Sequence, residues 1–435
     1  MTYLKQARPA AAVDDAGIRT RVSEMLATIR DTGESAVQTY AADLDKWSGD
    51  FVLSEEKRAK LIAQVPEREK DDIRFAHEQV TRFAEAQKAS LQEFSIETRP
   101  GVVLGQKLVP VSAAGCYVPG GRYAHAASAI MSVATAKVAG VPFVTAASPP
   151  RGDSIAPAVA FAMDLAGADL ILEMGGVHGI ATMAFGLFGA RPADILVGPG
   201  NAFVAEAKRQ LFGEVGIDLF AGPTESLVIA DATADPMTVA VDLASQAEHG
   251  PDSPVWLVTT DRALGEAVLE IMPKLAKDMP SGDTVARAWE DHGEIVLAET
   301  REEAVAASDA YAPEHLQIIA EDPAWWREHL RNYGSLFMGE GATVTHGDKC
   351  SGTNHILPTK KAARYTGGLN VQKFLKVLTW QEISEEANRD VSGAASRISR
   401  VEGMDGHARA CDWRLRKYFP GTNWDFEVAD QDRLD

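Results

Sequence analysis

The sequence predicts an α/β protein built from two doubly wound parallel-sheet units, with helical segments at its N and C termini. Two observations predict this class. Short apolar runs typical of buried strands alternate with helical patterns of about ten residues through the middle of the chain. The alternation starts a second time near Ser226, and a chain of 435 residues is long enough for two or three domains.

The N-terminal part of the chain, residues 14–98, has a helical pattern. An apolar stripe at helical spacing is formed by Ile18, Val22, Met25, Leu26 and Ile29. A second long helix is predicted over residues 68–94, and short strands over the Val- and Gly-rich residues 101–115. Because the helical segment has no sheet of its own, we expect it to pack against the second of the two units.

The first α/β unit is predicted over residues 116–225. Its strands are expected at 141–147, 169–174 and 194–197. Its helices are expected at 128–139, 155–165, 178–188 and 202–212. Helices that connect parallel strands cover both faces of the sheet, so these strands should be buried.

The second unit is predicted over residues 226–366. Its strands are expected at 226–230, 255–259, 294–298, 317–320 and 335–338. Its helices are expected at 264–275, 301–308 and 323–332. The remaining tail, residues 367–435, is predicted to be helical and too polar to form its own core, so we expect it to dock on another subunit.

The chain is acidic, with 43 lysines and arginines against 62 aspartates and glutamates and a net charge of −19. It has no basic run, so neither a nucleic-acid partner nor an anionic membrane surface is expected. An anionic small substrate is compatible with this charge, because a local cationic pocket can form on an acidic protein. No apolar run reaches the ~20 residues of a membrane span. Three widely separated cysteines, Cys116, Cys350 and Cys411, indicate a reducing compartment, and we expect a cytoplasmic protein.

The pair Glu314–His315 is the candidate catalytic centre. An adjacent carboxylate and imidazole can act as base in one proton transfer and as acid in another. The alternative interpretation of such a pair is a solvated turn. The catalytic interpretation of this pair therefore depends on other candidate residues in the chain.

Several such residues occur. Gln246 and His249, three residues apart, would lie on one helix face and could reach one metal ion. Asp348 and His355 lie in a glycine-punctuated loop after a predicted strand, the usual place for site residues in α/β sheets. Glycine-rich junctions at 115–121 and 198–201 favour either nucleotide binding or simple tight turns. Each signal also has a purely structural explanation.

Taken together and in order, these segments resemble the histidinol dehydrogenase family over nearly the whole chain. The matching segments are 115–121, 136–141, 198–208, 221–225, 246–249, 312–316, 351–358 and 402–407. The family uses zinc and NAD to take a primary alcohol through the aldehyde to the acid. The resemblance implies one zinc per subunit, bound by Gln246, His249, Asp348 and His407. It also implies NAD contacts from Tyr117, His178 and Asn201.

The resemblance implies a mechanism and an assembly as well. His315 would act as base in both oxidations, and Glu314 would activate the water that attacks the aldehyde. The family forms homodimers in which the exchanged C-terminal tail reaches the partner's site. The implied division is an N-terminal arm, a first α/β domain, a second, NAD-binding α/β domain and the tail. Their ranges are 1–17, 18–115 with 226–366, 116–225 and 367–435.

The chain departs from the biosynthetic members near the first glycine motif. Arg122 and His125 stand where those enzymes have neutral residues, and Thr224 replaces a serine. An added arginine suits an anionic group such as a sulfonate better than cationic histidinol. The tail resembles a catabolic branch that oxidises 2,3-dihydroxypropane-1-sulfonate to sulfolactate, so we expect a small anionic alcohol as substrate. His355 and Glu402 match substrate-contacting positions of the biosynthetic enzyme. Histidinol oxidation and a non-catalytic zinc- or NAD-binding relative are therefore the alternatives.

Overall fold

The computed structural model describes residues 1–8, 15–120, 124–220 and 222–429 of the protein. The N-terminal part is a short strand followed by four helices. These elements are β1 (Thr2–Lys5), α1 (Asp15–Thr32), α2 (Glu34–Tyr40), α3 (Glu55–Gln64) and α4 (Glu67–Ala89). A π-helical turn, Ala41–Asp45, continues α2 and is followed by Lys46 with φ 55°. The residues predicted as an N-terminal arm therefore include a strand.

The helix predicted over residues 68–94 is too long. α4 ends at Ala89, and β2 (Phe94–Arg99) pairs antiparallel with β3 (Val102–Pro110). Gly101, in the turn between them, has φ 77°, a conformation that glycine adopts without a Cβ clash. Phe94 and Ile96 alternate with polar residues, and this period of two is the signal of a strand.

The first parallel sheet follows directly. Its elements are β4 (Ala113–Tyr117), α5 (Ala126–Ala139), β5 (Phe143–Ser148), α6 (Pro157–Leu165), β6 (Leu170–Glu173), α7 (Gly176–Phe185), β7 (Ile195–Val197), α8 (Ala202–Leu211) and β8 (Gly216–Ile217). The strand order is β6-β5-β4-β7-β8, and all neighbours are parallel. The three strands and four helices predicted for the first α/β unit are present, with differences of a few residues at their ends. β4, at the centre of the sheet, and β8, at its edge, were not predicted as strands of this unit.

The N-terminal helices pack on this first sheet layer, and the packing predicted for them on the second unit is wrong. α1 contacts α7 and α8, α3 contacts α6, and α4 contacts α5 and α6. Val22 and Ile29 of α1 share a core cluster with Ile180 of α7. The physical reason is that nearly every residue of α5 and α7 is buried. Helices that are apolar around their whole circumference need a further layer to cover them.

The second sheet completes the large unit. Its elements are β9 (Ser226–Ala230), α9 (Pro236–Ala247), β10 (Val255–Thr259), α10 (Arg262–Asp278), α11 (Gly282–His292), β11 (Glu294–Leu297), α12 (Arg301–Tyr311), β12 (His315–Ile319), α13 (Pro323–His329), β13 (Ser335–Met338) and α14 (Val344–Lys349). The order is β1-β11-β10-β9-β12-β13, with β1 antiparallel to β11 and the other pairs parallel. The five parallel strands predicted for the second α/β unit are present, whereas the antiparallel strand β1 and the helices α11 and α14 were not predicted.

This sheet is covered on both faces. Leu227 and Ile229 of β9 belong to one core cluster, whereas Val228 and Ala230 belong to another. Successive side chains of a strand point to opposite faces, so each face has its own core. Such continuous apolar strands are typical of doubly wound parallel sheets.

The C-terminal segment contains a strand that the sequence did not predict. After 3₁₀ turns at Ala362–Arg364 and Val371–Phe374 come β14 (Leu375–Ile383), α15 (Asn388–Val401) and α16 (Asp405–Tyr418). β14 joins β3 and β2 in a three-stranded sheet. The contacts divide the chain into two compact units, residues 1–90 with 110–374, and residues 91–109 with the chain from Leu375 onward. None of the described helices is long and apolar enough to cross a membrane.

Candidate active site

Glu314 and His315 lie where β12 begins. Beyond the end of α12, Ala312 with φ 48° turns the chain toward this strand. His315 pairs in register with Ser226, the first residue of β9, and with Ser335, the first residue of β13. The pair therefore lies at the amino-terminal edge of the second sheet.

Glu225, directly before β9, holds both members of the pair through its backbone. Its N–H donates a hydrogen bond to Oε2 of Glu314 at 3.0 Å. Its carbonyl oxygen accepts from the main-chain N–H of His315 and from the ring Nδ1, each at 3.1 Å. A carbonyl oxygen can only accept, so Nδ1 carries the hydrogen. The lone pair of the neutral imidazole is therefore on Nε2.

Asp348 faces this Nε2. Its Oδ1 lies 3.3 Å from Nε2 of His315, and its Oδ2 lies 3.7 Å from Nε2 of His249. Asp348 is in the last turn of α14, the helix that follows β13. The sequence predicts this residue in a loop that follows a strand. That placement is wrong because a helix intervenes and returns Asp348 to the edge where His315 lies.

Gln246 and His249 reach the same edge through α9. The expectation that both lie on one helix face is wrong, because α9 ends at Ala247 and His249 follows it. The side chain of Gln246 is buried, and its Oε1 has no hydrogen-bond partner among the described residues. A buried amide oxygen left in this way costs free energy unless a donor or a cation meets it.

The four predicted zinc ligands are divided between the two compact units. Gln246, His249 and Asp348 belong to the larger unit, and His407 to the smaller. In the described part of the chain, no group of three His, Cys, Asp or Glu side chains is arranged to hold a metal. The three residues of the larger unit nevertheless fit a cation. His249 and Asp348 approach each other, and the unpartnered oxygen of Gln246 is a neutral donor.

Burial and charge control ionisation in this cluster. Burial raises the pKa of Glu314 to about 8, although the charge of His315 opposes the change. Burial alone would lower the pKa of His315, but the carboxylates of Glu314 and Asp348 outweigh it and raise the pKa to about 9. Burial likewise opposes the charge of Asp348, yet the neighbouring imidazoles of His249 and His315 hold its pKa below the ordinary range. Asp348 is thus the permanent anion of the cluster.

A cavity of about 740 Å³ opens beside these residues. Its polar lining includes His125, Ser128, His249, Lys349 and His355 together with the acidic Asp72 and Glu248, and α4 contributes a largely apolar wall. His355 is held on both sides, with Nδ1 2.8 Å from the carbonyl oxygen of Asp348 and Nε2 2.8 Å from Oγ of Ser128. A cavity of this size accommodates a small substrate.

His125, from which the sequence predicts a potential positive charge at the wall of the site, lines this cavity. Burial, with smaller contributions from the neighbouring His355 and Lys349, lowers its pKa to about 4. The imidazole is therefore neutral near pH 7. The positive charge expected from His125 is absent, and the side chain offers a neutral donor or acceptor instead.

The residues predicted to contact NAD lie at the carboxyl-terminal edge of the first sheet. Tyr117 ends β4, His178 is in the first turn of α7, and Asn201 is the N-cap of α8. Asn201 Oδ1 accepts hydrogen bonds from the N–H groups of Phe203 and Val204. This helix N-terminus borders a second cavity, of about 470 Å³, that is also lined by Thr359 and Lys360.

Tyr117 and His178 lie deeper. The hydroxyl of Tyr117 accepts a hydrogen bond from the N–H of Gly176 at 3.1 Å. Nε2 of His178 lies 2.9 Å from Oδ2 of Asp45, and the imidazole is fully buried. Neither residue is among the described residues that line the second cavity. Their contact with NAD stays a prediction.

The remaining predicted residues are dispersed. Thr224 is half-buried and directly precedes Glu225. Glu402, the C-cap of α15, and His407, in the first turn of α16, are both exposed in the smaller unit. Arg122 lies outside the described residues.

Comparison with known proteins decides the family. The family model of histidinol dehydrogenase matches residues 8–415. The chain belongs to the histidinol dehydrogenase family. It is 55% identical to a sulfopropanediol 3-dehydrogenase of Ruegeria pomeroyi over 97% of this chain and 98% of that protein. It is 58% identical to a histidinol dehydrogenase homolog of the same organism, with the same shares covered.

Solved structures agree with this assignment. A histidinol dehydrogenase crystal structure from Elizabethkingia anophelis superposes with a TM-score of 0.89 at 32% identity, covering 94% of each chain. The predicted α/β architecture is thereby confirmed as that of the family. The protein is a dehydrogenase of the histidinol dehydrogenase family, with sulfopropanediol 3-dehydrogenase among its near relatives.

Sequence reasoning missed two residues of this site. Glu225 acts through its backbone N–H and carbonyl, which every non-proline residue has, so no residue type identifies it. Lys349 directly follows Asp348 in the last turn of α14, and its charge beside a candidate ligand was the available signal.

Proposed function

We propose that the protein oxidises 2,3-dihydroxypropane-1-sulfonate through the aldehyde to sulfolactate, in organosulfonate catabolism. The observation that carries this proposal is the orientation of His315. Its Nδ1 is tied to the backbone of Glu225, so its Nε2 is directed at Asp348 beside the candidate ligand His249. The near relative with this activity supports the choice of substrate.

His315 is placed to act as the base. With Nδ1 already donating to Glu225, Nε2 is the nitrogen that accepts the proton of the alcohol. A cation beside Asp348 would compete with His315 for that carboxylate, and the pKa of the imidazole would fall toward neutrality. The base is then available near pH 7.

Glu314 is placed for the second oxidation. The aldehyde must take up water before it can lose two further electrons and become a carboxylate. A buried carboxylate with a raised pKa is a stronger base than an exposed one, and it can accept a proton from that water. His315 again accepts the hydroxyl proton of the hydrate.

The cofactors of this proposal are zinc and NAD. Zinc would be held by Gln246, His249 and Asp348, with His407 as fourth ligand. Bound zinc supplies a Lewis acid for the alcohol oxygen, and NAD accepts the electrons of both oxidations. Asn201, at the N-terminus of α8 beside the second cavity, supports the placement of a dinucleotide phosphate there.

The proposed assembly is a homodimer in the cytoplasm. His407 and Glu402 are exposed within their own unit, which suits residues that complete a partner's site. β14 also exposes Leu378 and Trp380, two apolar side chains on one face of the strand that suit an intersubunit contact. The cysteines Cys116, Cys350 and Cys411 are unpaired, which suits a reducing compartment.

Histidinol oxidation is the second candidate, because the matching family model describes histidinol dehydrogenase and His355 and Glu402 are retained. Production of NADH by the zinc-loaded protein with each alcohol tests both. Our proposal expects two NADH per 2,3-dihydroxypropane-1-sulfonate and none with histidinol. Turnover of histidinol alone would assign the chain to the second candidate. Activity with neither would indicate a non-catalytic relative.

A further inference from the structure

The cavity beside His249 contains a single lysine or arginine among its described lining residues, Lys349. The other charged lining residues, Asp72 and Glu248, are both acidic. Asp72 forms an ion pair with Arg68 at 3.3 Å, and Glu248 accepts a hydrogen bond from Ser281 at 3.0 Å. These acids are therefore engaged with other residues.

Lys349 itself has no ion pair or hydrogen bond within the described part of the chain. It is exposed at the end of α14 and lines the cavity. An unpaired ammonium at the wall of a cavity attracts an anion, most of all in a protein whose net charge is −19.

The place of Lys349 relative to the candidate catalytic cluster is also informative. The preceding residue, Asp348, turns its buried carboxylate toward His315 and His249, whereas Lys349 borders the cavity. His249 borders the same cavity. A small molecule with its hydroxyl group at His249 therefore has a cation within the same cavity for its other end.

We propose that Lys349 binds the sulfonate group of the substrate and selects an anionic alcohol over a cationic one. This inference rests on the proposed function. A sulfonate is ionised at neutral pH and presents three acceptor oxygens, which match the three donors of an ammonium group. The same ammonium would repel the cationic amine of histidinol.

Two measurements on the zinc-loaded protein test this assignment. The first is calorimetric binding of propane-1-sulfonate, which has no hydroxyl group to oxidise. The second is steady-state turnover of 2,3-dihydroxypropane-1-sulfonate and of its neutral analogue, 3-(methylsulfonyl)propane-1,2-diol. The variants are K349M, the charge-conserving K349R and K274M, which removes an exposed lysine from α10 as a matched control.

For K349M we expect the Kd of propane-1-sulfonate and the KM of the sulfonated alcohol to rise at least about ten-fold, as for a lost charge-assisted hydrogen bond. In K349M the kcat, the KM for NAD and the KM for the neutral analogue should stay within about two-fold of the wild-type values. K349R and K274M should bind propane-1-sulfonate with a Kd within about three-fold of the wild type. These effects would show that the positive charge of Lys349 binds the sulfonate group.

An unchanged Kd in K349M, or a wild-type protein that does not bind propane-1-sulfonate, would overturn the assignment. An R122A variant that weakens binding while K349M does not would place the sulfonate elsewhere. The proposed function fails separately, if the wild type binds propane-1-sulfonate through Lys349 but oxidises no sulfonated alcohol.

Discussion

The backbone carbonyl oxygen of Glu225 accepts two hydrogen bonds from His315, one from the main-chain amide and one from the ring Nδ1, each 3.1 Å long. This contact selects the tautomer of His315 without involving any other titratable group. It also ties the start of β12 to the residue that precedes β9. The orientation of the base is therefore built into the pairing of two neighbouring parallel strands.

The contact predicts how substitutions of His315 behave. In H315N the amide nitrogen stays near the Nδ1 position and can still donate to Glu225, but no group remains at Nε2. We expect both oxidation steps to slow by about 10²–10⁴-fold, the usual contribution of a general base, with little loss of stability. Single-turnover assays measure the rate of each oxidation step, and urea unfolding measures the stability of the variant. H329N, a change in an exposed histidine of α13, is the control, and normal rates in H315N would exclude His315 as the base.

Glu314 should matter for only one of the two steps. In E314Q the amide oxygen can still accept the hydrogen bond from the N–H of Glu225. We therefore expect alcohol oxidation to persist and aldehyde oxidation to fall by about 10²–10⁴-fold. Assays started separately from the alcohol and from the aldehyde distinguish the steps. Equal loss in both, or in neither, would contradict the role assigned to Glu314 as the base for water.

Removal of the metal should abolish activity, and zinc should restore it. The unpartnered oxygen of Gln246 predicts that Q246A retains zinc at least about ten-fold more weakly than the wild type. Metal content after dialysis against graded chelator concentrations measures this without an activity assay. Q64A, which changes an exposed glutamine of α3, should retain zinc normally. Full zinc retention by Q246A would remove this residue from the ligand set.

The exposed position of His407 leads to a prediction about subunits. If the tail completes the partner's site, H249A and H407A are each inactive alone, but a mixed dimer contains one intact site. Refolding equal amounts of H249A and H407A together should recover about one quarter of wild-type activity. Half of the dimers formed are mixed, and in each mixed dimer one of the two sites is intact. Mixing without unfolding is the control. No recovery, with mixed dimers verified by mass spectrometry, would place both residues in the same subunit's site.

Stability should depend on pH through Glu225. Burial raises its pKa from 4.5 to about 7, so the folded state holds this proton more tightly than the unfolded chain. Its contribution to stability is complete below pH 4.5 and is lost as the pH rises through about 7. From about pH 5 to about pH 8 the free energy of unfolding of the wild type should fall relative to E225Q by on the order of 1–3 kcal/mol.

Urea denaturation across this pH range measures the difference. E206Q serves as a control whose difference from the wild type should stay constant from about pH 5 to about pH 8, because a hydrogen bond from Arg209 lowers the pKa of Glu206 and its contribution is lost only as the pH falls below 4.5. Parallel pH profiles for the wild type and E225Q would show that Glu225 ionises as freely when folded as when unfolded.

Local sequence predicts the buried strands well and the exposed ones poorly. The strands Ser226–Ala230, Val255–Thr259 and Ser335–Met338 begin and end at the predicted residues. They are apolar runs bounded by polar residues, so burial alone defines them. β2 and β14 were missed because both are largely exposed, so burial does not define them. β14 in addition depends on pairing with β3, which is distant in sequence.

Residue types in their order along the chain are enough to predict the α/β class, the family and the chemical identity of the candidate site residues. Tertiary structure decided which edge of the second sheet holds them. α9 and α14 each return from the carboxyl-terminal end of a strand, so Gln246 and Asp348 arrive at the amino-terminal edge, beside His315. Tertiary structure also decided the role of Glu225, since a backbone hydrogen bond depends on where the chain passes and not on which side chain it carries.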